Sequence, residues 1–311
     1  MSVRKIWFAG SGDFAKVCFG EIIRSVDPEV IITSPPRKAG RGLKLKPTPL
    51  ECVAHGQGYS VHNTLSMSKD PVLIDKLERS APEMICVIDF GQKISEPFLN
   101  FSELGCLNVH PSLLPEYRGA APVQRAVMDG KKNTGVTVFR LAEAMDSGPI
   151  LLQSSYPIGA DATSGEVTQG LAKLGSMLLL EVINNYIPNN VSFLPQDRSL
   201  ATFAPKISKE EALLDVMCKA ETFHNKVRAL NPHPGAFLLL RGGKRLKIWR
   251  TEKSHLQGKP GTIVDFLGDR PVLATSGGSV VLISVQPEGK PMMDASSWSR
   301  GMRFAKGDSI L

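Results

Sequence analysis

The first half of the chain alternates strand-like and helix-like segments, and this alternation restricts the fold more than any other feature. Strand patterns lie at Val3–Phe8, Val30–Thr33, Tyr59–His62, Met84–Phe90 and Leu107–His110. Helical periodicity marks Phe14–Val26, Pro71–Arg79 and Pro122–Met128. Such alternation predicts an α/β fold with a mostly parallel, Rossmann-like sheet covered by helices.

The second part of the chain has a different pattern. Thr134–Leu141 and Pro149–Ile158 predict two more strands, and Ser164–Tyr186 predicts a helix that closes the first domain. Residues 187–206 contain three prolines and no sustained period, which predicts a linker. Beyond a helical segment at Ser208–Leu230, short strands separated by glycine turns predict an OB-like β-barrel. The predicted domains are therefore residues 1–186 and 207–311.

Composition excludes several classes of protein. The 311 residues are 42% hydrophobic, but no apolar run approaches the ~20 residues that span a bilayer. The N-terminus lacks the apolar region and cleavage site of a signal peptide, so we expect a cytoplasmic protein without a membrane partner. Five scattered cysteines and six histidines without metal-ligand spacing predict neither a disulfide framework nor a metal site. We also expect a monomer.

The positive charge is concentrated toward the C-terminus. The net charge is +7, and residues 207–311, with 16 Lys and Arg against 10 Asp and Glu, carry +6 of it. This asymmetry predicts a polyanion-binding module joined to a nearly neutral domain. A merely solubilising surface is the alternative.

Two basic clusters are candidates for nucleic-acid contact. The first is an acid-free, glycine-containing segment predicted to be a mobile loop, with Arg37, Lys38, Arg41, Lys44 and Lys46. The second lies on a predicted hairpin, where alternation places Arg245, Lys247 and Trp249 on one face. A solvated loop remains the alternative for the first, and packing of Trp249 under a helix for the second.

The end of one predicted strand has side chains suited to acyl transfer. A period of two places Asn108 and His110 on the same side, and Pro111 and Pro115 bracket the loop that follows. An amide can donate to a developing oxyanion while an imidazole transfers a proton. A strand-end pair that only makes turn hydrogen bonds is the alternative.

Two further motifs have both a functional and a structural interpretation. Asp146 lies in a turn between two predicted strands, where it either reaches His110 or only caps the turn. The run Gly10-Ser11-Gly12-Asp13-Phe14-Ala15 matches a dinucleotide fingerprint, but no acidic residue ends the second strand. An NADP-dependent oxidoreductase and a tight strand-to-helix turn both remain open.

Together these segments resemble the methionyl-tRNA formyltransferase family, a branch of the 10-formyltetrahydrofolate-dependent formyltransferases. The resemblance runs nearly end to end. The segments that carry it are Asn108 to Pro115, Tyr117 to Gln124, Asp146, the Ala39-Gly40-Arg41-Gly42 loop, Lys206 to Ala212 and Asn231 to Ala236. The chain departs from the family's usual Thr-Pro at Ser11-Gly12, from its Tyr at Phe90 and from its Asp at Pro149.

The resemblance implies formyl transfer from 10-formyltetrahydrofolate, without a metal, to the α-amine of methionyl initiator tRNA. It implies catalytic roles for Asn108, His110 and Asp146. The residues expected to bind folate are Ser112, Leu113, Leu114, Pro115, Ile88, Phe90 and Gly91. A formyltransferase for a small amine, such as a glycinamide ribonucleotide or a sugar amine, is the nearest alternative, and a non-catalytic tRNA-binding protein is a more distant one.

Overall fold

A computed structural model describes residues 4–39, 44–185 and 191–311 as two compact units. The first unit contains residues 1–119, 134–156 and 168–203, and the second contains residues 120–133, 157–167 and 204–311. None of the helices in these ranges is long and apolar enough to span a membrane. Within the same ranges, no three His, Cys, Asp or Glu side chains are grouped as metal ligands.

The strands and helices have the following bounds. The strands are β1 Ile6–Gly10, β2 Val30–Thr33, β3 Arg37–Ala39, β4 Lys44–Lys46, β5 His62–Asn63, β6 Met84–Ile88, β7 Cys106–His110, β8 Asn133–Arg140, β9 Ile150–Pro157, β10 Ala236–Leu239, β11 Arg245–Ser254, β12 Ile263–Leu267, β13 Arg270–Thr275, β14 Gly278–Pro287 and β15 Met293–Asp294. The helices are α1 Asp13–Ile22, α2 Pro49–Gly56, α3 Pro71–Ser80, α4 Pro122–Met128, α5 Ser164–Asn185, α6 Ala220–Ala229 and α7 Ala295–Met302.

The first unit contains a seven-stranded sheet in the order β5-β2-β1-β6-β7-β8-β9. Strands β5, β2, β1, β6 and β7 run parallel, and β8 pairs antiparallel with β7. The predicted mostly parallel α/β sheet is therefore confirmed. Because the strand order reverses between β1 and β6, a crevice is expected at their carboxyl ends, where ligands bind in folds of this kind.

Local sequence accounts for several of these elements. Every residue of β1 and β6 is buried, as expected for central strands covered on both faces. Helix α3 begins after Asp70, whose carboxylate accepts from the Val72 and Leu73 amides, and Pro71 fits the first helical position. Helix α2 begins in the same way after Thr48, although no periodic pattern predicts this short helix.

The basic segment differs from the predicted mobile loop. Its flanks form an antiparallel ladder in which Arg37 pairs with Lys46 and Lys38 with Leu45. The mobile-loop prediction is therefore wrong for these flanks. Like charges are tolerated there because Arg37, Lys38 and Lys46 are all exposed to water.

The second unit contains an antiparallel sheet in the order β10-β11-β14-β13-β12, with β15 paired to β14. This confirms the antiparallel, strand-rich C-terminal region. Its buried core includes Phe223, Ile248, Leu282 and Trp298.

The predicted helix at Ser208–Leu230 is wrong as a single element. A 3-10 turn at Glu210–Ala212 and helix α6 are separated by a stretch in which the Leu214 amide donates to the Phe237 carbonyl. Bonding to β10 therefore outweighs local helix propensity. The expected capping-box bonds do form, from the Ser208 amide to Glu211 and from the Glu211 amide to the Ser208 hydroxyl.

A buried histidine makes the stability of the second unit depend on pH. His224 Nδ1 lies 2.9 Å from Thr251 Oγ1, and Nε2 donates to the Ala160 carbonyl at 3.2 Å. Burial lowers the pKa of His224 below its usual value of 6.5, against the raising effects of that carbonyl and Asp161. Below pH 6.5 the unfolded chain therefore binds this proton more readily than the folded one.

We expect the free energy of unfolding to fall as the pH is lowered below 6.5, by up to about 1.4 kcal/mol per pH unit from this group. The contribution of the neutral His224 ring to the free energy of unfolding is fully present above pH 6.5. Urea unfolding of the wild type and His224→Gln between pH 5 and 8 measures it as a difference. Identical pH dependence in the two proteins would contradict the assignment.

Candidate active site

Strand β7 places the predicted amide and imidazole on one side of the sheet. Asn108 is partly exposed and His110 is buried, with only 5% of its surface accessible. Val109 points to the opposite side, where a Cβ added to Gly175 of α5 would lie 2.6 Å from its side chain. Helix α5 therefore covers one face of β7, and Asn108 and His110 belong to the other.

His110 is oriented by a backbone carbonyl. Its Nε2 donates to the Tyr117 carbonyl at 3.0 Å, so the neutral ring has its lone pair on Nδ1. Burial lowers the pKa of His110, while Asp146 and the Tyr117 carbonyl oppose this shift. The balance favours a neutral imidazole near pH 7, which can accept a proton at Nδ1.

Asp146 approaches the free nitrogen of this ring. Its Oδ2 lies 3.9 Å from His110 Nδ1 and accepts a hydrogen bond from the Gly119 amide at 2.7 Å. The loop turns closely here, because a Cβ on Gly148 would lie 1.8 Å from the Arg140 carbonyl. The structure therefore brings His110 and Asp146 together, but Asp146 is held by Gly119 and the ring orientation comes from Tyr117.

The loop Ser112–Pro115 is fixed by side chains that were not singled out from sequence. Thr137 Oγ1 donates to the Ser112 carbonyl and accepts from the Leu114 amide. Gln153 Nε2 donates to the Leu114 carbonyl at 2.7 Å. Thr137 pairs with His110 across β7 and β8, so this support is contiguous with the site.

The predicted folate residues of this loop differ in their exposure. Ser112 is fully buried, and its hydroxyl donates to the Glu116 carbonyl at 2.6 Å. Leu114 packs against Phe139 and Ile150. Leu113 and Pro115 are partly exposed and are left with surface for a ligand.

The predicted folate residues in and after β6 also differ in their exposure. Ile88 and Phe90 are buried, and Phe90 belongs to the hydrophobic core. Gly91 is exposed and lines a cavity of about 420 Å³, together with Arg37 and Lys93. This cavity brings one predicted folate residue next to one predicted tRNA residue.

Asp89 is a residue that sequence reasoning missed, and it accounts for the unusual Gly12. A Cβ on Gly12 would lie 1.8 Å from Asp89 Oδ2, so a larger residue at this position requires the carboxylate to move. Desolvation raises the pKa of Asp89 to about 6, while hydrogen bonds from the Phe14 and Ala15 amides oppose that shift. The chain's own carboxylate therefore occupies the N-terminus of α1, where a dinucleotide-binding protein holds a phosphate.

The residues predicted to bind tRNA lie in two places. Arg37, Lys38, Lys44 and Lys46 lie on the β3–β4 hairpin, whereas Arg41 lies outside the described residues. These four cations are exposed and have no ion pair with the carboxylates of the described ranges.

Strand β11 carries the second predicted set. Arg245 lies 4.9 Å from the Phe237 ring centre, and Lys247 Nζ lies 5.1 Å from that of Trp249. Lys247 also donates to the Pro234 carbonyl at 2.8 Å. Cations and aromatic rings thus share one face of this strand, but Lys247 also supports its own unit.

Comparison with known proteins places this geometry in a family. The formyl transferase family model matches residues 11–183, and the model of the formyl transferase C-terminal domain matches residues 206–303. A methionyl-tRNA formyltransferase of Moorella thermoacetica is 38% identical over 98% of this chain and 99% of its own length. The chain belongs to the methionyl-tRNA formyltransferase family. A second member, from Natranaerobius thermophilus, is also 38% identical, over 96% of this chain and 97% of its own length.

Solved structures support the same formyltransferase fold. HypX from Aquifex aeolicus, solved with tetrahydrofolic acid, superposes with a TM-score of 0.67 at 18% identity, covering 99% of this chain and 49% of HypX. An N-formyltransferase from Helicobacter canadensis, solved with folinic acid and dTDP-3-aminofucose, gives 0.65 at 17% identity over 91% of this chain and 99% of its own. These distant likenesses concern the fold alone.

Proposed function

We propose that this member of the family transfers the formyl group of 10-formyltetrahydrofolate to the α-amine of methionyl initiator tRNA, yielding N-formylmethionyl-tRNA for translation initiation. The observation that carries the proposal is the 3.9 Å approach of Asp146 to the free Nδ1 of His110, at the end of the strand that bears Asn108. The full-length identity to methionyl-tRNA formyltransferases supports tRNA as the acceptor.

The chemistry assigns one task to each side chain. The α-amine attacks the formyl carbon in its neutral form, and the Asn108 amide donates to the oxyanion that develops. His110 takes a proton from the attacking nitrogen at Nδ1, next to the negative charge of Asp146. The bond between the formyl carbon and N10 then breaks, and N10 keeps the electron pair and takes the proton from His110.

Folate and tRNA are proposed to meet at the crevice between β1 and β6. Leu113 and Pro115, which are partly exposed, and Gly91, which is exposed, offer surface for the folate, whereas Ser112, Leu114, Ile88 and Phe90 shape the surrounding backbone. We further propose that the protein acts as a monomer in the cytoplasm, where its tRNA substrate is used.

A comparison of acceptors tests the proposal. The protein is incubated with 10-formyltetrahydrofolate and either methionyl-tRNA, a glycinamide ribonucleotide or a nucleotide-linked sugar amine, and the formylated product is measured. We expect formylation of methionyl-tRNA and little of either small amine. Preferential formylation of a small amine would assign the protein to the rival activity, and nicotinamide-dependent chemistry without formyl transfer would refute the proposal.

The β3–β4 hairpin is expected to contribute electrostatically to tRNA binding. Lys46 is exposed at the base of the hairpin, opposite Arg37. Lys46→Gln should weaken binding and reduce the slope of log K against log salt concentration by about 0.7 to 1 if it contacts one phosphate. The matched control is Lys76→Gln, an exposed lysine on α3, which should leave the slope unchanged. Equal slopes in both variants and the wild type would exclude this contact.

A further inference from the structure

We propose that Gln196 is a positioning residue that holds the Asp146 loop against the segment that orients His110. This inference rests on the proposed function, since it takes both residues as part of the reacting site. Gln196 Nε2 donates to the Asp146 carbonyl at 2.9 Å and to the Gly148 carbonyl at 2.7 Å. Its Oε1 accepts from Arg118 Nε at 3.1 Å and Nη2 at 2.7 Å.

The loop that contains Asp146 depends on such external contacts. Asp146 has φ of 50°, in the left-handed region that costs an L residue of this kind conformational energy. The residues between β8 and β9 form bends and turns rather than a helix or strand. Gln196 binds the carbonyls on both sides of Ser147, so one side chain spans the turn at which Asp146 is presented.

The side-chain oxygen of Gln196 binds the segment that contains the hydrogen-bond partners of His110 and Asp146. Arg118 is buried, and its neighbours are Tyr117, whose carbonyl accepts from His110, and Gly119, whose amide donates to Asp146. Through the Arg118 guanidinium, Gln196 connects this segment to the Asp146 backbone. Two connections therefore hold Asp146 near His110 Nδ1: the direct bond from the Gly119 amide to the Asp146 carboxylate, and the link from the Asp146 backbone through Gln196 to Arg118.

The segment that carries Gln196 is itself attached to the same place. The Arg118 amide donates to the Thr202 carbonyl at 2.9 Å, and the Tyr117 amide donates to Thr202 Oγ1 at 2.8 Å. Residues predicted to form only a linker thus contact the active-site segment through both Gln196 and Thr202. The hydrogen bonds of Thr202 hold the segment that carries Gln196, so Gln196 has a defined position.

The hydrogen-bonding pattern requires an amide. Two carbonyls need donors and the guanidinium needs an acceptor, and a neutral amide side chain offers both. Glutamate in this position keeps the attraction to Arg118, but it places a carboxylate oxygen against the carbonyls of Asp146 and Gly148. Methionine has similar length and makes neither set of bonds. Gln196→Glu therefore removes only the bonds to the two carbonyls, whereas Gln196→Met also removes the bonds from Arg118.

Kinetics of the full-length protein test the proposal. With methionyl-tRNA and 10-formyltetrahydrofolate, we expect Gln196→Met and Gln196→Glu to lower kcat by about 10-fold or more, with the KM of each substrate within about threefold of wild type. The control is Gln57→Met, an exposed glutamine in the same unit, which should match wild type. Unchanged kcat in both Gln196 variants would overturn the proposal.

A double-mutant cycle separates positioning from general stability. If Gln196 acts by placing Asp146, Gln196→Met should lower kcat far less in an Asp146→Asn background than in the wild type. An equal decrease in both backgrounds would refute the positioning role. A wild-type protein that forms no N-formylmethionyl-tRNA would instead refute the proposed function, so the two failures are distinguishable.

NMR titration of His110 gives a readout that does not depend on activity. Asp146 raises the pKa of His110 against the effect of burial, so displacement of Asp146 should lower that pKa further. We expect the His110 pKa to fall in Gln196→Met and to stay at the wild-type value in Gln57→Met. A wild-type His110 pKa in folded Gln196→Met would contradict the proposal.

Discussion

Replacement of His110 by alanine is expected to lower kcat for formylation of methionyl-tRNA by about 10²-fold or more, the usual loss when proton transfer by a side chain is removed. The expectation follows from the free Nδ1 of a ring that burial keeps neutral and the Tyr117 carbonyl holds in place. Steady-state kinetics at saturating formyl donor measures the effect. tRNA affinity should change little, because His110 lies on the sheet of the first unit rather than on the basic hairpin.

The His110→Ala result is interpreted beside two controls. Thermal unfolding shows whether the variant remains folded, since the change also removes the hydrogen bond from His110 to the Tyr117 carbonyl. His55→Ala removes an exposed histidine of the same unit and should match wild type. A folded His110→Ala protein with turnover within a few-fold of wild type would exclude the proton-transfer role.

Asp146→Asn is expected to lower kcat by about 10²-fold while leaving the loop in place. Asparagine retains the shape and an oxygen that can accept from the Gly119 amide, but it removes the negative charge 3.9 Å from His110 Nδ1. That charge favours the protonated imidazole, so its loss destabilises the state in which His110 holds the transferred proton.

The same substitution should change the pH profile in a defined direction. Because burial lowers the pKa of His110 below 6.5, activity of the wild type should decline only on the acid side of that value, as the ring becomes protonated. Loss of the Asp146 charge lowers the His110 pKa further, so the acid limb of kcat/KM should move to lower pH. An acid limb of kcat/KM that stays in place or moves to higher pH in Asp146→Asn would contradict the interaction between Asp146 and His110.

The parallel sheet and the site on β7 could be predicted from local sequence. Buried strands separated by helical periods specify a parallel sheet, and a period of two is enough to place Asn108 and His110 together. Asp146 is a candidate from its position in a turn between two predicted strands, but only the resemblance decides between a catalytic role and a turn cap. The structure places its carboxylate 3.9 Å from His110 Nδ1, while the Tyr117 carbonyl orients the ring.

Contacts made by backbone groups and by distant polar side chains could not be predicted. The Tyr117 carbonyl that orients His110 leaves no signature in residue type. Gln196 lies in a proline-rich stretch without periodicity, so its bonds to Arg118 and Asp146 arise only from tertiary structure. Only the unusual Gly12 hinted at Asp89, because a missing Cβ often marks a close approach by another group.

Two predictions from local propensity were wrong because the segments pair with other parts of the chain. The sequence predicts that residues 213–219 belong to a helix, but Leu213 is extended and bridges Phe237 of β10, and the Leu214 amide donates to the Phe237 carbonyl. The composition of the glycine-containing basic segment predicted a loop, yet Arg37–Ala39 and Lys44–Lys46 pair as strands. In both places, hydrogen bonds to a neighbouring chain segment replaced the conformation that composition alone favoured.

The most direct test of the central claim is a single-turnover reaction with enzyme in excess over methionyl-tRNA and a formyl-labelled donor. The tRNA is deacylated afterwards and the released amino acid is identified. The wild type is expected to yield labelled N-formylmethionine, and His110→Ala to yield it about 10²-fold more slowly. Unmodified methionine from the wild type, or equal rates for the two proteins, would contradict formyl transfer through this site.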